Sequence, residues 1–211
     1  MSEFSAIIFD LGGVVLGSPL HAIAAYEREL GVAAGFVNRV VVDTATDGAW
    51  SRLERGEISL EVFYPAFDRE CLTAGERLSA REMMARISAA SQPRPQMLCA
   101  IARLRQRAFK LAALTNNWVT EDPGKGTNEL RPLFDVFIES SVVGLRKPDP
   151  RIYQHTCRAL EIEPSQAVFL DDIGSNLKAA RALGITTIKV EDPDAALGEL
   201  ASTLELPPLT S

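Results

Sequence analysis

Four polar clusters in this 211-residue chain have the residue types and spacing to do chemistry together. Asp10 follows Ile7, Ile8 and Phe9 and precedes the glycine pair Gly12-Gly13. Thr115-Asn116 follows the apolar residues 109–114, Lys147 lies in GLRKPDP at residues 144–150, and Asp171-Asp172 follows the apolar residues 167–170. Three of the four clusters therefore end a short apolar run of the kind that forms a buried parallel strand, and such strand ends converge on the rim where open α/β sheets bind ligands. Carboxylates gathered there repel one another unless a cation sits among them. Oxygen donors beside an anionic phosphate favour Mg²⁺. Lys147 adds a fixed positive charge, and the Thr115 hydroxyl and Asn116 amide offer donors to phosphoryl oxygens. These parts suffice for Asp10 to attack phosphorus and for water to hydrolyse the resulting aspartyl-phosphate.

Each cluster alone has a plainer reading. Asp10 suits the cap of a turn after a strand, and LTNNW suits a strand-to-turn transition. RKPDP suits a charged helix start, and DDIGSN a helix N-terminus, where the dipole favours acids. Their joint order, with each in its place along the chain, favours one site.

The elements that must position these residues follow in order. Ser18-Pro19 marks a helix start, Leu20, Ile23, Tyr26 and Leu30 recur at helical spacing, and Gly31 supplies the stop. Ser59 opens a further helical pattern with Leu60, Phe63 and Phe67, which Pro65 is expected to kink or shorten. Ser79 and Glu82 fit a capping box ahead of Met83, Met84 and Ile87. No strand of the parallel type is expected between the first one and residue 92. Helix and strand then alternate: a helix from Pro95, a strand at 109–114, a polar loop through Gly124 and Gly126, and a strand at 136–138. A helix capped by Asp149, a strand at 167–170, a helix stopping at Gly184, a strand at 186–190 and a helix from Asp192-Pro193 complete the series. This alternation predicts an α/β fold with a parallel sheet and right-handed crossovers. Residues 1–16 and 93–211 are expected to form its core, and residues 17–92 an α-helical cap inserted after the first strand.

A net charge of −6 offers no general attraction to nucleic acid or to an anionic membrane, so neither is expected as a partner. No apolar run approaches the length of a membrane span, and the N-terminus lacks a signal-peptide pattern. Cys71, Cys99 and Cys157 share no metal-like spacing and read as reduced packing residues of a cytoplasmic protein. His21 and His155 carry no pattern. Trp50 and Trp118 read as packing residues, with Trp118 near enough to Thr115-Asn116 to line a pocket. Residues 47–55 are expected to shape the choice of substrate. Nothing in the sequence sets an oligomeric state.

The clusters FDLGG, LTN, RKPDP and FLDD resemble the four motifs of the haloacid dehalogenase superfamily. LTNNW, FDVFIESSVVGLRKPDPRIY and VFLDDIGSNLKAARALGI narrow the resemblance to the N-terminal phosphatase domain of soluble epoxide hydrolase and to domains fused to some acyl-CoA dehydrogenases. It covers nearly the whole chain, less tightly in the helical insertion with RGEISLEVF. The resemblance implies a Rossmann-like core with a helical cap, and a Mg²⁺-dependent phosphatase of a small phosphorylated metabolite. It implies that Asp10 is nucleophile and metal ligand, that the backbone oxygen of Gly12 and Asp172 bind the metal, and that Thr115 and Asn116 hold phosphate. Lys147 orients nucleophile and phosphoryl group, and Asp171 and Asn176 support the metal shell. One departure stands out: the family's second acid, which protonates the leaving group, is here Gly12. General acid–base help is worth about 10²- to 10⁴-fold in rate. Slow turnover of alkyl phosphates follows, with good leaving groups such as sugar 1-phosphates or acyl phosphates less impaired. Two alternatives remain open: a weak or inactive phosphate-ligand binder, and a metal-independent dehalogenase. Epoxide hydrolysis is not expected, since it belongs to a separate domain in the fused proteins.

Overall fold

In a computed structural model, which describes residues 4–119 and 126–209, five strands form one parallel sheet in the order β3-β2-β1-β4-β5. They are β1 (Ala6–Phe9), β2 (Lys110–Thr115), β3 (Val136–Glu139), β4 (Ala167–Asp171) and β5 (Thr186–Lys189). β1 is central because Ile7, Ile8 and Phe9 bury on both faces, and its register pairs Phe9 with Ala113 of β2 and with Leu170 of β4. The pairing sets Asp10 level with the ends of both neighbours. The chain builds β2 and β3 to one side and β4 and β5 to the other, so the crevice beside β1 is the switch point of the sheet. The expected α/β architecture with its insertion after the first strand is what the chain adopts.

Between β1 and β2 the chain is helical: α1 (Pro19–Leu30), α2 (Phe36–Asp43), α3 (Ala49–Glu54), α4 (Leu60–Thr73), α5 (Ala80–Ala90) and α6 (Pro95–Gln106). Helices α1 to α5 bury Ile23, Tyr26, Phe63, Phe67, Met83 and Ile87 in a cluster of their own, separate from those on the two faces of the sheet. Beyond β3 come α7 (Ser140–Val143), α8 (Pro150–Leu160), α9 (Gly174–Arg181) and α10 (Pro193–Thr203).

Several local expectations are corrected. Ser18 precedes α1 without a side-chain cap, and Leu20 and Leu30 are exposed, since α1 turns Ile23, Tyr26 and Glu27 inward instead. Pro65 neither ends nor shortens α4: burial of Phe63, Phe67 and Cys71 carries that helix across the missing N–H. The capping box before α5 is half made. Ser79 Oγ accepts from the Glu82 N–H, but the Glu82 carboxylate pairs with Arg86, and the Ser79 N–H donates to the Tyr26 hydroxyl. The caps by Asp149 and Asp192 form as expected. Helices α2 and α3 and the short α7 carry too few turns for their periodicity to stand out. Gly126 opens a 3₁₀ turn, Gly126–Leu133, and Gly124 lies outside the described residues.

The chain crosses between sheet and helices at two adjacent places. Leu16 pairs antiparallel with Pro93, the Gly17 N–H donates to the Gln92 carbonyl, and the Arg94 N–H donates to the Val15 carbonyl. Gly17 is required by contact: a Cβ there would stand 2.0 Å from the Ala90 carbonyl oxygen, a backbone atom that cannot swing aside. Gly17→Ala is expected to destabilise the protein by about 1–3 kcal/mol, read as a lower urea midpoint. Gly198→Ala, in open space within α10, is expected to raise that midpoint slightly.

Candidate active site

The end of β1 and a single irregular helical turn, Leu11–Val15, carry Asp10 into the crevice. Its Oδ1 is fixed by two donors, the Leu11 N–H at 2.7 Å and the Lys147 ammonium at 2.8 Å. Its Oδ2 accepts no hydrogen bond among the described residues. Lys147 reaches across from the loop after α7 and is 1 % exposed, with Nζ also 2.7 Å from Asp171 Oδ2. Asp171 is spoken for on both oxygens, by Lys147, by the Ile173 N–H at 2.7 Å and by the Asn176 amide at 3.1 Å. Asp172, next in the chain, pairs with no side chain among the described residues and packs against Gly13. The structure thus brings Asp10, Lys147, Asp171, Asp172 and Asn176 together.

Burial is the largest influence on this group. It raises Asp10 well above the ordinary carboxylate range against the pull of Lys147 and pushes Asp172 up to about 6, with Asp171 adding to both shifts. Burial also works against the charged form of Lys147, but Asp10 and Asp171 outweigh it and hold the ammonium's pKa above its usual value. Two carboxylates therefore meet one ammonium at contact distance, and a third, Asp172, lies beside them. Ligand oxygens of Asp10, Asp171 and Asp172 lie within 4.8 Å of one another. A cluster of hard oxygen donors with excess negative charge fits a divalent cation such as Mg²⁺. The carboxylates of Asp10 and Asp172 are the ones left to face it, since Asp171 is saturated with donors.

Gly13 keeps Asp172 in place. Its φ of +82° suits glycine, and a Cβ there would lie 2.1 Å from Asp172 Oδ2. Gly12 is different: its φ of −65° is open to any residue, and a Cβ would meet only the Pro19 ring, at 3.1 Å.

Thr115 ends β2 buried, its hydroxyl donating to the Asn116 carbonyl at 3.3 Å. The Asn116 side chain faces the loop rather than the crevice. Oδ1 accepts from the Lys147 N–H at 2.8 Å, and Nδ2 donates to the Lys147 carbonyl at 3.0 Å and to Glu54 Oε2 at 3.3 Å. The expected amide contact to phosphate is thus already committed to protein, and any contact from Asn116 falls to its backbone. Trp118 and Trp50 both line the cavity, their rings 6.4 Å apart. Glu54, inside the segment 47–55, bonds Asn116 and Arg146, contacts that the sequence did not single out.

The sequence profile of the haloacid dehalogenase-like hydrolases matches residues 4–184, and the chain belongs to that family of enzymes. It is similar to acyl-CoA dehydrogenase family member 10 of Mus musculus, 36 % identical over 208 residues, which are 97 % of this chain and 20 % of the relative. Bifunctional epoxide hydrolase 2 of Sus scrofa is 36 % identical over 209 residues, 92 % of this chain and 38 % of that protein. The chain thus spans well under half the length of these two relatives. The sesquiterpene phosphatase astK of Aspergillus oryzae is 25 % identical over 94 % of this chain and 96 % of its own. Among solved structures, the enzyme BT-2542 of Bacteroides thetaiotaomicron, in complex with magnesium and inorganic phosphate, shares the fold at a TM-score of 0.62 and 21 % identity. The match covers 90 % of this chain and 96 % of that one.

MgCl₂ is expected to raise the thermal midpoint of the wild-type protein by cation binding to the folded state alone. Asp172→Ala and Gly13→Ala are expected to abolish that shift in differential scanning fluorimetry. A full shift in Asp172→Ala would remove Asp172 from the ligand set.

Proposed function

We propose that this chain is a Mg²⁺-dependent phosphatase that forms an aspartyl-phosphate on Asp10. The observation that carries this reading is the asymmetry of Asp10, with Oδ1 tied by Leu11 and Lys147 and Oδ2 left open to the cleft. Mg²⁺, held by Asp10, Asp172 and the Gly12 carbonyl, would neutralise charge on the phosphoryl oxygens. Asp10 Oδ2 attacks phosphorus, and the bond from phosphorus to the ester oxygen breaks as the new one forms. Lys147 holds the carboxylate in line and neutralises charge, and the Thr115 hydroxyl with the Asn116 backbone receives the phosphoryl oxygens. Water then attacks the same phosphorus, releasing phosphate and restoring Asp10. Asp171 and Asn176 keep Lys147 in position. Gly12 has no side chain to pass a proton to the leaving oxygen, so the departing group leaves as its anion or takes its proton from water.

Residues 17–92 act in this reading as a cap over the core of 1–16 and 93–211. Between the two lies a cavity of about 1510 Å³, with Asp10, Lys147 and Asp172 at its floor. Ile23, Val41, Trp50, Leu60, Tyr64 and Met84 line the helical side. That lining suits a phosphomonoester with an apolar alcohol portion better than a sugar phosphate, in keeping with the sesquiterpene phosphatase among the relatives. The three unpaired thiols suit a reducing, cytoplasmic compartment.

Gly12 favours a second reading, in which the site binds phosphate ligands with little turnover. Hydrolysis of p-nitrophenyl phosphate in the presence of Mg²⁺ separates the two. Turnover is expected, falling by about 10³-fold or more in Asp10→Asn; phosphate binding without turnover would establish the binder instead. A further outcome follows from Gly12: aryl and acyl phosphates are expected to react about 10²- to 10⁴-fold faster than alkyl phosphates in kcat. Equal rates across that series would show that some other group protonates the leaving oxygen.

A further inference from the structure

Glu54, the last residue of α3, is a carboxylate brought to the phosphate side of the site by the helical segment rather than by the sheet. It is nearly buried, and its oxygens meet three donors from three parts of the chain. Oε1 accepts from the Trp50 indole N–H at 3.0 Å, and Oε2 accepts from Arg146 Nε at 2.6 Å and from Asn116 Nδ2 at 3.3 Å. Arg146 also donates to Ser51 Oγ at 3.2 Å, so it is held to α3 at two points. Both groups that Glu54 holds flank Lys147. Arg146 precedes it in the chain, and Asn116 grips its backbone N–H and carbonyl. Close by, Gly56 presses on the core so tightly that a Cβ there would stand 2.2 Å from the Ser141 carbonyl oxygen.

We propose that Glu54 is a positioning residue that fixes the Lys147 loop from both sides, so that the ammonium meets Asp10 and the Asn116 backbone faces the phosphoryl group. The inference rests on the phosphatase reading. The physical case is that the Lys147 side chain is long and flexible, and its aim is set by where its backbone is clamped. Removing Glu54 frees the Asn116 amide to turn and leaves the Arg146 guanidinium without its ion-pair partner. A loosened clamp costs alignment in the reaction itself, which is felt in kcat as well as in binding. Glu54 does not touch the reacting atoms, so its loss should not change which groups titrate during turnover.

The two tryptophans of the chain, Trp50 and Trp118, both sit at this junction, which gives a binding readout independent of turnover. Inorganic phosphate is titrated, with Mg²⁺ present, into wild type, Glu54→Ala, Glu54→Gln, Arg146→Ala and the Glu54→Ala/Arg146→Ala double variant, following tryptophan fluorescence. The kcat and KM for p-nitrophenyl phosphate are measured across pH on the same samples. Glu54→Ala is expected to weaken phosphate and lower kcat by about tenfold or more each, with the pH profile keeping its shape. Glu54→Gln, close in shape and retaining hydrogen-bonding capacity, is expected to recover part of both. The double variant is expected to be no worse than Glu54→Ala, because the two residues act as one unit. Phosphate affinity and kcat both within about twofold of wild type in the Ala and Gln variants overturn the proposal, as does loss of one limb of the pH profile, which marks a proton donor. A wild-type protein that binds phosphate but turns over no substrate overturns the phosphatase reading alone, and the affinity ratios then decide the role of Glu54. A wild-type protein that binds no phosphate overturns both.

Discussion

The site depends on one buried ammonium. Asp10 and Asp171 end adjacent strands of the same sheet, so two carboxylates emerge side by side where water is scarce, and neither is tolerable there uncompensated. Lys147 resolves this by bonding one oxygen of each, at 2.8 and 2.7 Å. Removing a lysine solvation shell costs several kcal/mol, which only good geometry and paired charge offset. The loop carrying Lys147 is accordingly clamped by Asn116, and Asp171 is further fixed by Asn176 and the Ile173 N–H. With Asp171 fully engaged, Asp172 is left as the carboxylate of the cluster without a partner side chain among the described residues. The division of labour between neighbouring acids thus follows from which of them the lysine reaches.

Backbone constraints then decide how near the unpaired acid can come. Gly13 takes a left-handed conformation that gives Asp172 room, while Gly12 has ordinary dihedral angles and only the Pro19 ring near where a Cβ would stand. The two glycines look alike in the sequence and have different physical reasons. One serves the geometry of the cluster, and the other leaves its position without a side chain.

Much of this was legible beforehand wherever a local rule applied. The strands at β1, β2 and β4 announced themselves through apolar runs closed by polar residues, and the order of those ends along the chain placed Asp10, Thr115 and Asp171 on one rim. The caps at Asp149 and Asp192 also needed only their own neighbours. What escaped were features made by distant partners. Leu20 and Leu30 fit the helical period of α1, yet the neighbouring helices cover the Ile23 and Tyr26 face instead. The bonds of the Asn116 amide to the Lys147 backbone were hidden too, because that partner lies 31 residues further on. Glu54 sits in RLERGE, within the 47–55 segment expected to shape the choice of substrate, where nothing local singles it out. Its signal, Trp50 four residues before an acid, becomes meaningful only once Arg146 arrives from 92 residues away.

The paired crossing at Leu16 and Pro93 has an evolutionary consequence. Because the chain leaves the sheet and returns to it through neighbouring, hydrogen-bonded segments, the intervening helices begin and end at almost the same point in space. Recombination could substitute a different insert at that junction without disturbing any strand register. Descendants of such a scaffold are free to diversify what they recognise while the acids and the lysine beneath stay as they are.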